Sequence, residues 1–272
     1  MSPIGVFDSG YGGLSVFRNL RERLPDYDFI YLGDNARAPY GKKSFEDVYE
    51  YTREAVKFLF SQNCPLVILA CNTASAKALR TIQQKDLPDW EDPTKRVLGV
   101  IRPTAEIAGT LTRSGHLAIV GTAGTIASQS YEIEIAKAFP TLTVRSQACP
   151  EWVDLVENGT AETLSAEKIV EEDLRKLFEN DQKIDALILA CTHYPLLMTA
   201  IKKHVPAGVK IFSQGAHVAE RLEDYLQRHR EMDRRLSRSG NAIFYTTGDC
   251  KIFDRQALKF LGYKIHSRHC VF

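Results

Sequence analysis

The 272-residue chain has almost no net charge: 35 Lys plus Arg stand against 34 Asp plus Glu, leaving +1 at pH 7. With neither sign in excess, no long-range field draws the molecule to nucleic acid or to an acidic membrane, and nucleic acid is not expected as a partner. The chain also lacks a long apolar run. Its most hydrophobic stretch, Pro65 to Cys71, falls far short of the roughly 20 residues a spanning helix needs, so no membrane role is expected. The opening Met-Ser-Pro-Ile carries neither the basic start nor the apolar stretch of a secretory signal, which makes the cytoplasm the expected location. No two of the six cysteines form a Cys-x-x-Cys pair, and in a chain of this length they read as reduced thiols rather than a disulfide framework. No low-complexity linker interrupts the sequence.

What is present is an ordinary globular composition, 44% hydrophobic and 25% charged, long enough for one large domain or two smaller ones. Short β-branched-rich runs alternate with helical periodicity, the pattern of a parallel α/β sheet. Strands are expected at Ile4 to Phe7, Phe29 to Leu32, Leu66 to Ala70 and Val97 to Ile101, with a capped helix start at Ser44-Phe-Glu-Asp47. A second series follows at Leu117 to Val120, Leu142 to Val144 and Ile184 to Ala190, with a helix over Ala166 to Phe178 and another begun at Pro195. A third block holds strands at Val209 to Phe212 and Ala242 to Tyr245 and helices over His217 to Leu226 and Gln256 to Leu261.

Two of these strands echo each other. Leu66-Val-Ile-Leu-Ala-Cys71-Asn-Thr73 aligns without gaps on Ala186-Leu-Ile-Leu-Ala-Cys191-Thr-His193, and Val6-Phe-Asp8-Ser9 has a counterpart in Ile119-Val-Gly121-Thr122. Ligands of open α/β sheets bind outside the carboxyl ends of the strands, where both cysteines fall. A thiol just past a strand and near a helix N-terminus is expected to feel the helix dipole and to have its pKa lowered from about 8.5. Two such thiols suit a redox pair, a metal site or a two-base site. Zinc would need further ligands at local spacing that neither segment supplies beyond His193, and a reducing compartment disfavours a disulfide. A two-base site removes a proton from one face of a carbon and returns one to the other, which inverts a stereocentre.

Val6-Phe-Asp-Ser-Gly-Tyr-Gly-Gly-Leu-Ser15, Tyr31-Leu-Gly-Asp-Asn-Ala-Arg-Ala-Pro-Tyr-Gly41, Ala70-Cys-Asn-Thr-Ala-Ser75 and Leu189-Ala-Cys-Thr-His-Tyr-Pro-Leu196 resemble, in order and across the chain, the cofactor-independent glutamate racemases. Gly12-Gly13 is not a phosphate loop, since the Lys-Ser/Thr ending is absent. The resemblance implies an α/β fold of two similar parallel-sheet lobes related by pseudo-twofold symmetry, with the active site between them. Residues 1–97 plus 210–272 would form the first lobe and 98–209 the second.

It further implies that Cys71 deprotonates D-glutamate and Cys191 deprotonates L-glutamate, assisted by Asp8 and His193 respectively, with Glu157 helping to orient His193. Asp8, Ser9, Tyr40, Gly41, Asn72, Thr73, Thr122, Thr192 and His193 match substrate-binding positions; short hydroxyls, an amide and backbone N–H groups suit two carboxylates and an ammonium. Neither a cofactor nor a metal is implied, D-glutamate would supply peptidoglycan synthesis, and the family implies a homodimer. The sequence departs from the family at Asp154, where Pro is usual, and at Ser213-Gln-Gly215, which replaces an acidic turn. Activation by a peptidoglycan precursor, associated with an N-terminal extension, is not expected of a chain that opens at its first strand. An aspartate racemase of the same superfamily and a regulatory binder such as a DNA gyrase inhibitor are the alternatives. Cys64, Cys149, Cys250 and Cys270 read as structural, and the cluster around Arg228, Arg230, Arg234, Arg235 and Arg238 as a solvated helix end.

Overall fold

The computed structural model describes residues 2–90 and 92–272. The chain divides into two compact units, Met1–Val100 with Gly215–Phe272 and Ile101–Gln214. In the first, β1 (Ile4–Asp8), β2 (Phe29–Gly33), β3 (Leu66–Leu69), β4 (Arg96–Gly99), β9 (Ala242–Thr246) and β10 (Ser267–His269) form one sheet in the order β10-β9-β2-β1-β3-β4, every pairing parallel. In the second, β5 (His116–Gly121), β6 (Thr143–Ala148), β7 (Ala186–Ala190) and β8 (Lys210–Ser213) form a parallel sheet in the order β6-β5-β7-β8. All strand residues of β1, β2, β3 and β7 are buried, as strands covered on both faces must be, and this is why they read as unbroken apolar runs.

The expected strands are therefore found, with ends shifted by one to a few residues. Only β10 has no sequence signature, because Ser267-Arg-His269 is a short polar edge strand held by β9 alone. Its pairing places the last block in the first sheet, whereas β8 pairs with β7 in the second. Ser44 caps α2 (Phe45–Ser61) by accepting from Asp47 N at 3.0 Å, as expected. The segment at Pro195 begins as a 3-10 turn, Tyr194–Leu197, before Met198–His204 turns α-helical, with the proline in the first turn where its missing N–H is not needed. In the first unit α1 (Leu14–Arg23) buries Phe17 edge-on against Phe29 and Tyr31 of β2 and Phe244 of β9, tying one helix to two strands. Among the described residues no helix is long and apolar enough to cross a membrane.

Within the cluster, Arg228 pairs with Asp224 at 3.2 Å, Arg230 with Asp233 at 3.7 Å, Arg235 with Asp92 at 2.9 Å and Arg238 with Asp233 at 2.6 Å. These ion pairs offset part of the cluster's positive charge.

The strand orders β2-β1-β3-β4 and β6-β5-β7-β8 are the same arrangement built twice. In each, the chain leaves the first strand to one side and later returns to pair on its other side. The points where the order reverses, at β1/β3 and β5/β7, are the topological switch points at which open α/β sheets bind ligands.

Candidate active site

Register decides what meets at the first switch point. Phe7 pairs with Leu69 and the Ala70 N–H bonds to Phe7 O at 2.8 Å, so the residues that follow, Ser9 and Cys71, emerge side by side. Ser9 Oγ lies 3.4 Å from Cys71 Sγ. Cys71 is also the N-cap of α3 (Asn72–Lys77), its sulfur accepting from Ala74 N at 3.4 Å. Asp8, 1% exposed, accepts from Gly10 N at 3.0 Å. Asn72 and Thr73 lie buried in the first turn of α3.

Burial pushes the Cys71 thiol up to about 12, and the Asp8 carboxylate adds to the shift; the hydrogen bonds from Ser9 and Ala74 pull the other way and lose. This corrects the expectation that the helix N-terminus would lower it. A six-residue helix has a weak dipole, and the sulfur is enclosed next to an anion. Cys71 therefore rests as a thiol, set to give a proton, and must lose that proton before it can take one.

The buried Tyr40 hydroxyl donates to Asp34, and the backbone of Tyr40 and Gly41 opens the 3-10 segment Tyr40–Lys42.

The second switch point repeats the plan. Gly121 pairs with Ala190, so Thr122 and Cys191 emerge together. Thr122 caps the helix Ala123–Ala127, accepting from Thr125 N at 3.2 Å, and Thr192 is buried beside Cys191. His193 Nδ1 stands 3.9 Å from Cys191 Sγ, and its Nε2 is 3.0 Å from Glu157 Oε1. The helix Glu151–Glu157 runs unbroken through Asp154, so the absent proline does not keep Glu157 from His193. Burial of His193 opposes its charge, but the hydrogen bonds to the Cys191 sulfur and to Glu157 outweigh it and raise the imidazole to about 10. Gln214, in the turn that departs from the family, donates to Thr104 Oγ1 at 2.8 Å and to the Tyr131 hydroxyl, which makes it a buried structural link.

By register the two sulfurs are equivalent and their helpers are not. Gly121 stands where Asp8 does, and Thr73 stands where His193 does. One sulfur has a carboxylate from the neighbouring strand, the other an imidazole two residues on, itself held by a carboxylate. Each arrangement can hold and relay a thiol's proton.

Gly13 has a part that the sequence did not disclose, since a Gly-Gly pair after a strand reads as a loop. A Cβ there would sit 2.4 Å from Asp8 Cβ and 2.7 Å from Asp8 Cγ, both atoms near the backbone that cannot swing away. Gly13→Ala is expected to displace the carboxylate, lowering turnover at least about tenfold and costing about 1–3 kcal/mol of stability. Steady-state rates and thermal melts check this; unaltered turnover would mean that the position of Asp8 is immaterial.

The profile of the Asp/Glu/hydantoin racemase family matches residues 4–221. A glutamate racemase of Ruegeria sp. (strain TM1040) is 41% identical over 273 residues, covering 96% of this chain and 97% of that protein. The crystal structure of a glutamate racemase isoform from Bacillus anthracis superposes with a TM-score of 0.89 at 37% identity, covering 99% of this chain and 97% of the other. That of the Francisella tularensis glutamate racemase, solved in complex with D-glutamate, gives 0.85 at 31% identity, covering 99% and 97%.

Proposed function

The chain belongs to the Asp/Glu/hydantoin racemase family, and we propose that it interconverts L- and D-glutamate by moving a proton at the α-carbon between Cys71 and Cys191. The observation that carries this reading is the duplicated sulfur: two cysteines at equivalent strand ends, one per unit, each beside its own proton-handling group. A single base that removes the α-proton and returns it to the same face regenerates the starting enantiomer. Inversion needs a base for one face and an acid for the other, and two thiols that exchange these parts serve both directions.

Cys71 acts on D-glutamate and Cys191 on L-glutamate, as the resemblance implies. Asp8 takes the proton that Cys71 must shed, and the His193 imidazolium, held by Glu157, hydrogen-bonds the Cys191 sulfur and stabilises it while it acts as a base. Ser9, Tyr40, Gly41, Asn72, Thr73, Thr122 and Thr192 supply hydroxyl, amide and backbone donors for the two carboxylates and the ammonium, with Tyr40 and Gly41 acting through their N–H groups. Donors of this kind from Ser9, Asn72, Thr73, Thr122 and Thr192 also stabilise the carbanion as it forms in a dry site, where hydrogen bonds are worth far more than in water. Every proton-transfer group is a side chain of this protein, so the reading calls for no cofactor. The six free cysteines suit the reducing cytoplasm, where D-glutamate enters peptidoglycan synthesis.

Incubating each glutamate enantiomer with the protein in D2O, without added cofactor, tests the reading. Loss of optical activity from both, with deuterium appearing at the α-carbon, is expected. Aspartate is the control; turnover of aspartate with glutamate untouched would reassign the substrate.

A further inference from the structure

The segment Tyr31 to Gly41 contains two charged residues, Asp34 and Arg37. Asp34 is wholly buried at the end of β2. Its Oδ2 accepts from the Tyr40 hydroxyl and from Arg37 Nε at 2.7 Å, and its Oδ1 accepts from Thr247 Oγ1 at 2.7 Å. A carboxylate taken out of water is costly unless a cation and further donors compensate it, and Arg37 is that cation. The guanidinium reaches on to Glu54 of α2, lies 4.1 Å from the centre of the Tyr51 ring and 5.1 Å from that of Phe272, and Tyr51 in turn packs on Tyr40 at 5.9 Å. Arg37 thus joins the turn that carries Tyr40 and Gly41 to α2 and to Phe272, using both its planar face and its fork of donors.

We propose that Arg37 is a positioning residue for substrate binding: through Asp34 and the Tyr40 hydroxyl it fixes the direction of the N–H groups of Tyr40 and Gly41. The proposal rests on the reading that this turn grips glutamate. A preoriented pair of donors binds the carboxylate equally in the ground and transition states, so loosening it raises KM and leaves kcat nearly alone.

Arg37→Lys keeps the charge and loses the fork and the flat face. It is expected to raise KM for both enantiomers about tenfold, with kcat changed less than about threefold. Tyr40→Phe, which keeps the ring and removes only the bond to Asp34, should shift KM in the same sense. Amide hydrogen exchange of the peptide spanning 38–43, with and without D-glutamate, separates the possible failures. If D-glutamate protects this peptide in the unaltered protein and protects it less in Arg37→Lys, the positioning role stands. If protection and KM are the same in Arg37→Lys, even with a lower melting temperature, or if kcat falls at constant KM, Arg37 is structural and the proposal is overturned. If the unaltered protein shows no protection, the turn does not hold glutamate, and the reading of Tyr40 and Gly41 falls together with the inference.

Discussion

Cys71→Ala and Cys191→Ala are each expected to lower racemisation at least about 10³-fold, and to do so in both directions, because the base for one enantiomer is the acid for the other. The two directions must in fact fall together. Enantiomers in water have equal free energy, so the equilibrium constant is 1 and kcat/KM is the same for L- and D-glutamate in any variant at any pH. A variant that slowed only one direction would break that equality, so the ratio cannot say which thiol serves which enantiomer. The isotope effect can. A change that weakens Cys71 as a base makes proton removal from D-glutamate more rate-limiting, and the α-deuterium effect should grow for D-glutamate and shrink for L-glutamate. Weakening Cys191 should do the opposite. The two thiols act as a unit, so the double variant should be no slower than either single one. Retained turnover in Cys71→Ala or in Cys191→Ala would sink the two-base assignment. Both sulfurs are small and buried, so melting curves are needed beside the rates to show that a silent variant is folded.

How much of this was legible beforehand follows from what each residue depends on. The strands were readable because a parallel strand covered on both faces has to be apolar throughout, as Leu66–Leu69 and Ala186–Ala190 are. The equivalent placement of the two cysteines, each at the end of a buried strand, was readable because the same strand end occurs twice. Register, which brings Ser9 to Cys71 and Thr122 to Cys191, is not written in either strand alone; it is set by how β1 pairs with β3 and β5 with β7. The state of Cys71 differs from what its place in the sequence suggests for the same reason. A position at a helix start is local and visible, whereas enclosure beside Asp8 is a product of the whole sheet. Gly13 and Arg37 went without a part because the first matters through an atom it lacks and the second through partners at Asp34, Glu54, Tyr51 and Phe272, spread along the chain.

His193→Asn is expected to lower turnover about 10²-fold, and Glu157→Gln by a smaller factor of about tenfold, since the imidazole meets the sulfur while the carboxylate acts through the imidazole. Because Glu157 works only through His193, the double variant should be close to His193→Asn alone; independent losses that multiply would refute the relay. The same pair gives a signature in stability. Folding raises the His193 pKa from its ordinary 6.5 to about 10, so between these values the folded chain keeps a proton that the unfolded chain has released. The stabilisation is therefore complete below about pH 6.5 and is lost as pH rises through about 10. The melting temperature of the unaltered protein should fall from pH 7 to pH 10 more steeply than that of His193→Asn, in which the titrating group is gone. Parallel curves would mean that Glu157 and the Cys191 sulfur do not hold His193 as an imidazolium. In that case a neutral imidazole, its Nε2–H directed at Glu157, would meet the sulfur only as a proton acceptor.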